Sequence, residues 1–508
     1  MKYKKMLLIN VTPPTLRGLF PDNGLALLAS CLNEKNIDLE IIDYCSLENM
    51  KLFFSNNLKE NLEKIIEDIS SRIEKENIFH IGSKLFINGF SESIYVMERL
   101  KQNFGNRITA IGGGPQVDYF WNLFDSEGLF YEEGRKSGAF DNLVINEGEI
   151  TLPALVKSKK EDWNKIPNLI YKENGKIVRT LTKRVEDLNS LPFPSYDSEN
   201  YPSIKEDKKI KFINTRLNWG CFFAKCKFCF HPVKSGYGFK EKTTERIIEE
   251  IKYISRKVNT TAFRLGASSV STSINDLAKK LIEANLNIKY SMFGNISLAD
   301  KYDFKLLKES GCLSIFYGAE SGNQKELDLY DKRIKVNQIE EAVKKTEENK
   351  IRAMLSFIYL GNEKAGEETL NLILRSKPSA ISILPLAIMP HTPFAYEVPS
   401  NIYLGENYFK DFMRQRVNLT KPKDEWWNLD CEINGKNSRQ LVRESMLIEH
   451  EAEAEGIPCR ITDETFVLSH YSDKTAVEIR NLEAEFKPNG NYSELIDEIR
   501  KINRKMSI

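Results

Sequence analysis

Twice along its length this chain alternates short apolar runs with amphipathic ones, and that rhythm restricts the fold more than any other feature. Up to about residue 158, runs of strand length and composition occur at Met6–Asn10, Leu39–Asp43, Ile78–Gly82, Ile108–Gly112 and Asn142–Ile145. Helical periodicity fills the gaps, most clearly at Leu25–Leu32, Leu58–Ile73 and Ser91–Gln102. Strict alternation predicts a parallel, doubly wound sheet with helices on both faces. A ligand of such a sheet lies across the carboxyl ends of the strands. The loops expected there are Val11-Thr-Pro-Pro14, Gly82-Ser83, Gly112-Gly-Gly-Pro115 and Asn146-Glu-Gly-Glu149. Their glycines either admit close backbone approach to a ligand or simply make tight turns.

The rhythm resumes past residue 206. Strand-like runs at Lys211–Arg216, Ala262–Leu265, Ile288–Phe293, Leu313–Tyr317, Met354–Leu360 and Ala380–Leu384 alternate with helical patterns at Thr244–Lys257, Ile274–Ala284, Lys301–Ser310, Gln338–Asn349 and Gly366–Arg375. Six such units predict a partial barrel, two units short of the closed eightfold form, with its site at the C-terminal ends of the strands. Between the two halves stand a hairpin pattern, Asn168–Tyr171 and Lys176–Arg179 around Asn174-Gly175, and a Pro-rich strap, Leu188–Tyr196. The expected division is a doubly wound domain over 1–160, a linker over 161–205, the partial barrel over 206–400 and a mostly helical region over 401–508. That last region carries Trp426, Trp427, Cys431 and Cys459, candidates for a substrate pocket although each suits a core position as well.

Just after the first strand of the second half, Cys221, Cys226 and Cys229 form a C-x4-C-x2-C run. Three thiolates on one loop are a ligand set. On a 4Fe-4S cube they leave one iron free for another ligand. With His231 they also make a plausible zinc set, three thiolates and one imidazole. Cys31, Cys45, Cys312, Cys431 and Cys459 are scattered and do not suggest a disulfide framework.

The cysteine run resembles the radical S-adenosylmethionine superfamily, whose usual spacing is C-x3-C-x2-C with an aromatic before the third cysteine. Phe228 holds that aromatic position, and the first gap is one residue longer. Tyr317-Gly-Ala-Glu-Ser-Gly322 is similar to the family's Gly-x-Glu-Ser-Gly, which implies that Glu320 and Ser321 meet the ribose or methionyl end of S-adenosylmethionine. Leu360-Gly-Asn-Glu-Lys-Ala-Gly-Glu-Glu-Thr369 resembles the turn that lies along the adenine, implying a role for Gly361. At Gly266-Ala-Ser-Ser269 relatives often carry acidic residues, so Gly266 and Ser268 are expected to serve the methionyl amine through a carbonyl and a hydroxyl. Asn295 stands where an arginine is common, which directs attention to Arg264 or Arg352 for the carboxylate. Met389-Pro-His-Thr-Pro393 echoes a family Pro-Gly-Thr-Pro turn, with His391 in the glycine's place.

The first 160 residues look like the cobalamin-binding domain that precedes many radical S-adenosylmethionine barrels. The resemblance rests on the Pro-Pro loop, Gly24-Leu-Ala-Leu-Leu-Ala29, Ile41-Ile-Asp43, Gly112-Gly-Gly-Pro115 and Glu147-Gly-Glu149. It implies cobalamin contacts from Thr12, Pro13, Ser83, Gly113, Gly114, Pro115, Glu147 and Gly148. No Asp-x-His-x-x-Gly signature occurs and Gln116 follows Pro115 where relatives often have histidine, so no residue is marked as a lower ligand to cobalt.

Together the resemblances imply an enzyme with a 4Fe-4S cluster, S-adenosylmethionine and cobalamin, methylating an unactivated carbon of a small molecule through a 5'-deoxyadenosyl radical. Such an enzyme draws its electron from an external donor such as flavodoxin or ferredoxin. Two alternatives remain open. One is radical oxidation, cyclisation, rearrangement or 3-amino-3-carboxypropyl transfer without cobalamin. The other is a zinc-stabilised, non-catalytic binding protein. With 73 basic against 72 acidic residues the chain has no field to favour nucleic acid. Its start is too short in apolar residues for a signal peptide, and no apolar stretch reaches the roughly 18 residues of a membrane span. A cytoplasmic location is expected.

Overall fold

The computed structural model describes residues 5–53, 57–132, 137–205, 207–236, 238–266, 269–419, 423–489 and 492–508. The first half builds a seven-stranded sheet. Strands β1 (Met6–Asn10), β2 (Leu39–Asp43), β3 (His80–Lys84), β4 (Thr109–Gly113) and β5 (Asn142–Val144) are parallel, in the order β2-β1-β3-β4-β5. β1 is buried on both faces, as a central strand between helical layers must be, which is why it reads as an unbroken apolar run. The helix Asn23–Asn33 leaves the β1 loop under an Asp22 cap, whose Oδ1 accepts from the Leu25 amide at 2.8 Å. The strand order reverses between β1 and β3, the place where such sheets open a crevice.

The hairpin expected in the joining segment adds β6 (Leu169–Glu173) and β7 (Lys176–Arg179) antiparallel to the same sheet. The first sheet therefore runs to Arg179, because pairing with β5 covers an edge that would otherwise stand open.

The second half is a six-stranded parallel sheet in the order β15-β14-β13-β12-β11-β8. Its first strand is β8 (Phe212–Thr215), followed by a short antiparallel pair, β9 (Asn218–Gly220) and β10 (Phe239–Glu241). The rest are β11 (Ala262–Leu265), β12 (Lys289–Gly294), β13 (Cys312–Glu320), β14 (Arg352–Tyr359) and β15 (Ala380–Pro385). The helix Thr244–Val258 shows why the connections are helical: Ile247, Ile248, Ile251, Ile254 and Val258 are buried along one stripe, and Thr243 caps it.

The mostly helical C-terminal region, which also forms a small three-stranded sheet, closes the open barrel. The helix Asp463–His470 packs on β12, β13 and β14. On β13, Ser314 donates to the Asp463 carbonyl at 2.7 Å while Tyr317 pairs with Thr346 of the helix Val336–Glu348 at 3.0 Å, so the two helices lie on opposite faces of the sheet. Residues 458–460 bridge to β15 through Ile381, and Met506 accepts from the Thr261 amide at 2.8 Å beside β11. Among the described residues no helix is long and apolar enough to cross a membrane.

A buried polar knot joins the two halves. Asp43, at the end of β2, accepts from Asn10 Nδ2 at 2.8 Å, from Lys209 Nζ at 2.6 Å and from the Tyr201 hydroxyl. Lys209 also donates to the Cys45 carbonyl at 2.6 Å. The side chains of Lys209 and Asp43 are 2% and 0% exposed, so neither charge has water to fall back on. Asp43→Ala is expected to destabilise the protein by about 3–5 kcal/mol, because it leaves a buried ammonium uncompensated. Chemical denaturation measures this, and adding Lys209→Met to that variant should recover most of the loss.

Candidate active site

The loop from Cys221 to Cys229 is held from three sides. At its start Gly220 adopts φ 81°, and a Cβ there would stand 2.0 Å from the Gly238 carbonyl oxygen, so only glycine permits the β9–β10 crossing that closes the loop. In the middle the Lys227 amide donates to the Tyr330 carbonyl at 3.0 Å, while the Lys227 carbonyl accepts from the Phe394 amide at 3.1 Å. Phe228 meets Tyr330 edge to face at 5.4 Å.

All three cysteines border one cavity of about 240 Å³, together with Phe228, His231, Asn295, Glu320 and Lys332. Burial pushes the Cys226 thiol up to about 12 and that of Cys229 to about 11, with Lys332 pulling both the other way. Binding of iron is what deprotonates such thiols. Burial, assisted by Lys234, pushes His231 down to about 4, so its imidazole is neutral at pH 7. Among the described residues no three His, Cys, Asp or Glu side chains converge as a single metal ion requires. Cys221, Cys226, Cys229 and His231 are thus not arranged as a compact zinc set. A cube places each thiolate on a different iron, and three cysteines bordering one cavity supply that donor set.

A second cavity, of about 770 Å³, crosses the carboxyl ends of β1, β3, β4 and β5. Thr12, Ser83, Gly113, Gly114, Pro115 and Gly148 line it from the first sheet; Asn214, Arg216, Trp219 and Lys234 line it from the barrel side. Ser83 Oγ, Asn214 Oδ1 and Trp219 Nε1 are buried without a hydrogen-bond partner among the described residues. Polar atoms orphaned around a roomy crevice fit a large ligand carrying many amide groups, as cobalamin does. At the rim Lys84 pairs with Asp22; burial pushes the Asp22 carboxyl up, but Lys84 outweighs it and holds the group below the usual carboxylate range.

Several expected contacts are absent from these cavities. Glu147 accepts from the Val185 amide and faces Arg184 at 3.8 Å, anchoring the joining segment, while Pro13 packs its carbonyl toward Cys45 Sγ at 3.9 Å. Ser321 gives its hydroxyl to Glu326 at 2.6 Å, inside the protein. Gly361, at φ 76°, faces Leu441 and Lys436 of the C-terminal region. Gly266 spans from β11 back to the Thr215 carbonyl and borders neither cavity, and Ser268 lies outside the described residues. Asn295 does border the small cavity, but its side-chain carbonyl caps the turn at Ser297 at 2.9 Å. Of the two arginines suggested for the carboxylate, Arg264 borders the large cavity while forking onto Asp463 at 2.7 and 2.9 Å, Arg352 is exposed, and neither borders the small cavity. His391 and the candidates Trp426, Trp427, Cys431 and Cys459 border neither cavity. Lys332 and Arg416 border the small and large cavities without having been singled out from sequence, because no periodicity or motif marks a side chain delivered by a distant fold-back.

Residues 219–374 match the Radical SAM superfamily. A protein named as an uncharacterized methyltransferase, from Pyrococcus horikoshii, is 26% identical over 427 residues, covering 81% of this chain and 86% of that protein. Other curated relatives are spanned over about half their length. Among solved structures, the radical S-adenosylmethionine methyltransferase TsrM from Kitasatospora setae, with cobalamin and a [4Fe-4S] cluster bound, superposes with a TM-score of 0.64 at 12% identity, over 99% of both chains. The cobalamin-dependent S-adenosylmethionine radical enzyme OxsB superposes at 0.60 and 14% identity, over 90% of this chain and 62% of its own. At such identities the structural likeness is one of fold.

Burial lifts the Glu326 carboxyl to about 7, the Ser321 hydroxyl opposing. The folded protein therefore keeps a proton that the unfolded chain releases near its ordinary pKa of about 4.3, and stability falls as pH rises from there to about 7. Glu326→Gln is expected to flatten this slope in denaturation curves taken across that window, without altering the affinity for S-adenosylmethionine.

Proposed function

Given a chain whose residues 219–374 form a radical S-adenosylmethionine domain, we propose that it is a cobalamin-dependent radical S-adenosylmethionine methyltransferase acting on a small organic substrate. One observation carries the reading: the segment from Trp219 to Lys234 walls both cavities. Its ends, Trp219 and Lys234, face the large cavity, while Cys221, Cys226, Cys229 and His231 face the small one. Two cofactor sites separated by one loop are what a reaction needing both requires.

Cys221, Cys226 and Cys229 hold the cluster, which when bound supplies the electron that breaks the sulfonium bond of S-adenosylmethionine. Cobalamin, when bound in the large cavity, supplies the methyl group. Phe228 and Glu320 border the space left for S-adenosylmethionine. Thr12, Ser83, Gly113, Gly114, Pro115 and Gly148 cradle the corrin side. Gly114, at φ 114° with the Leu85 carbonyl oxygen 2.8 Å from any Cβ, lets this wall of the cavity pack against the Leu85 backbone. The C-terminal region shuts the barrel against water, which a reactive radical demands. An external flavodoxin or ferredoxin supplies the electron, and an oxygen-sensitive cluster of this kind belongs in the cytoplasm.

Protein purified without oxygen, reconstituted with iron and sulfide and desalted after incubation with hydroxocobalamin, is expected to show a broad cluster absorbance together with stoichiometric corrinoid bands. Cluster absorbance without retained corrinoid removes methyl transfer from the reading. Cys226→Ala should lose the cluster absorbance and all release of 5'-deoxyadenosine while keeping the corrinoid; a Cys226→Ala protein that still turns over refutes the proposal.

A further inference from the structure

Lys332 reaches the cysteine cavity by a route that the local chain would not choose alone. Beyond the helix Gln324–Leu329 the backbone turns through two left-handed residues, Asp331 at φ 52° and Arg333 at φ 54°, with the Lys332 amide pinned to the Leu327 carbonyl at 3.0 Å. Arginine in that region is disfavoured, so the turn persists because surrounding contacts hold it. Tyr330 in the same turn supports the cysteine loop through its carbonyl, so the loop and Lys332 are set by one piece of backbone.

The lysine side chain is 16% exposed, and its Nζ stands 2.9 Å from Glu320 Oε1. Burial alone would lower its pKa; the Glu320 carboxylate, with Cys226 and Cys229 beyond it, raises it overall, and the group stays an ammonium. Glu320 is itself in the left-handed region, at φ 67°, on an irregularity of β13 between Gly318 and Glu320. A Cβ on Gly318 would lie 2.3 Å from Glu320 Oε1 and 3.0 Å from Lys332 Nζ. Glycine is what leaves room for the pair. Among the described residues bordering this cavity, Lys332 is the one lysine or arginine, and it stands against the one carboxylate there, Glu320.

We propose that Lys332 is a positioning residue with two effects: its ammonium fixes the Glu320 carboxylate toward S-adenosylmethionine, and it offsets the negative charge gathered by the thiolate-bound cluster. The assignment rests on the radical S-adenosylmethionine reading. Reduction adds a negative charge to the cluster, and a fixed cation nearby stabilises the reduced form more than the oxidised one, raising the midpoint potential. Loss of the ammonium leaves Glu320 unheld beside the same thiolates.

The test uses full-length, anaerobically reconstituted parent, Lys332→Met and Lys332→Arg proteins, compared by iron content, by redox titration of the cluster's electron paramagnetic resonance signal and by equilibrium binding of S-adenosylmethionine. Lys332→Met with parental iron content is expected to show a midpoint potential displaced to more negative values and an affinity weakened roughly tenfold. Parental potential and affinity in that variant overturn the proposal. If Lys332→Met fails to hold iron, Lys332→Arg decides. A retained potential with weakened affinity supports the assignment, since arginine keeps the charge but not the geometry at Glu320; a displaced potential or an unchanged affinity overturns it. A parent protein with no reducible cluster overturns the proposed function itself, and this assignment with it.

Discussion

The Asp43–Lys209 pair is the interaction on which the relation between the two sheets depends. Asp43 ends β2 of the first sheet and Lys209 stands in the segment that leads into β8 of the second, so one buried ion pair ties the terminus of one layer to the entrance of the other. Its remaining partners extend the tie. Asn10 hands it on to Thr12, whose hydroxyl donates to Asn10 Oδ1 at 2.5 Å, and Tyr201 accepts from the Asp22 amide at 3.0 Å. Thr12 and Asp22 both border the large cavity, so the orientation of its floor and the docking of the barrel are settled by the same network. A buried network of this type specifies one arrangement because any slip strands a charge without water.

The C-terminal region solves a complementary problem. A six-stranded open sheet exposes two edges and one face, and residues 458–460, the helix Asp463–His470 and the helix ending at Met506 meet all three. Arg264 is the central example. It projects from the second strand of the barrel but is committed to Asp463 and Glu464, and Glu464 also engages Arg17 from the β1 loop. First sheet, barrel and C-terminal region are thus connected through a single carboxylate. Burial lowers the pKa of Arg264 while Asp463 opposes the shift, the expected behaviour of a guanidinium held by a structural partner.

Much of the fold was legible because period and length survive in the sequence. β1, β2 and β11 occupy the bounds read from apolar runs, and the other strands read there shift at most a few residues, where glycine and polar ends blur the pattern; the short antiparallel strands β9 and β10 carry no such run and were not read. That the three cysteines border one cavity was equally legible, since thiols close together in the chain need no long-range information to meet. Residue-by-residue resemblance fared less evenly. Thr12, Ser83, Gly113, Gly114, Pro115 and Gly148 border the large cavity, and Phe228, Asn295 and Glu320 the small one. Glu147, Ser321 and Gly361 carry matching letters but serve the joining segment, an internal hydrogen bond and a helix contact. A motif reports residue type at a strand end; which neighbour the side chain meets depends on chain that arrives from elsewhere.

By itself the sequence determined two parallel strand–helix halves, a run of three cysteines just after the first strand of the second half and a helical remainder, all properties written in local spacing and periodicity. Tertiary structure alone decided that one loop walls both cavities, that Arg264 is consumed by the C-terminal helix, and that Lys332 rather than an arginine faces the cysteines. The physical reason is that burial and charge pairing are summed over groups far apart in the chain: Lys209 finds Asp43 across 166 positions and Arg264 finds Asp463 across 199, distances over which no local pattern carries information.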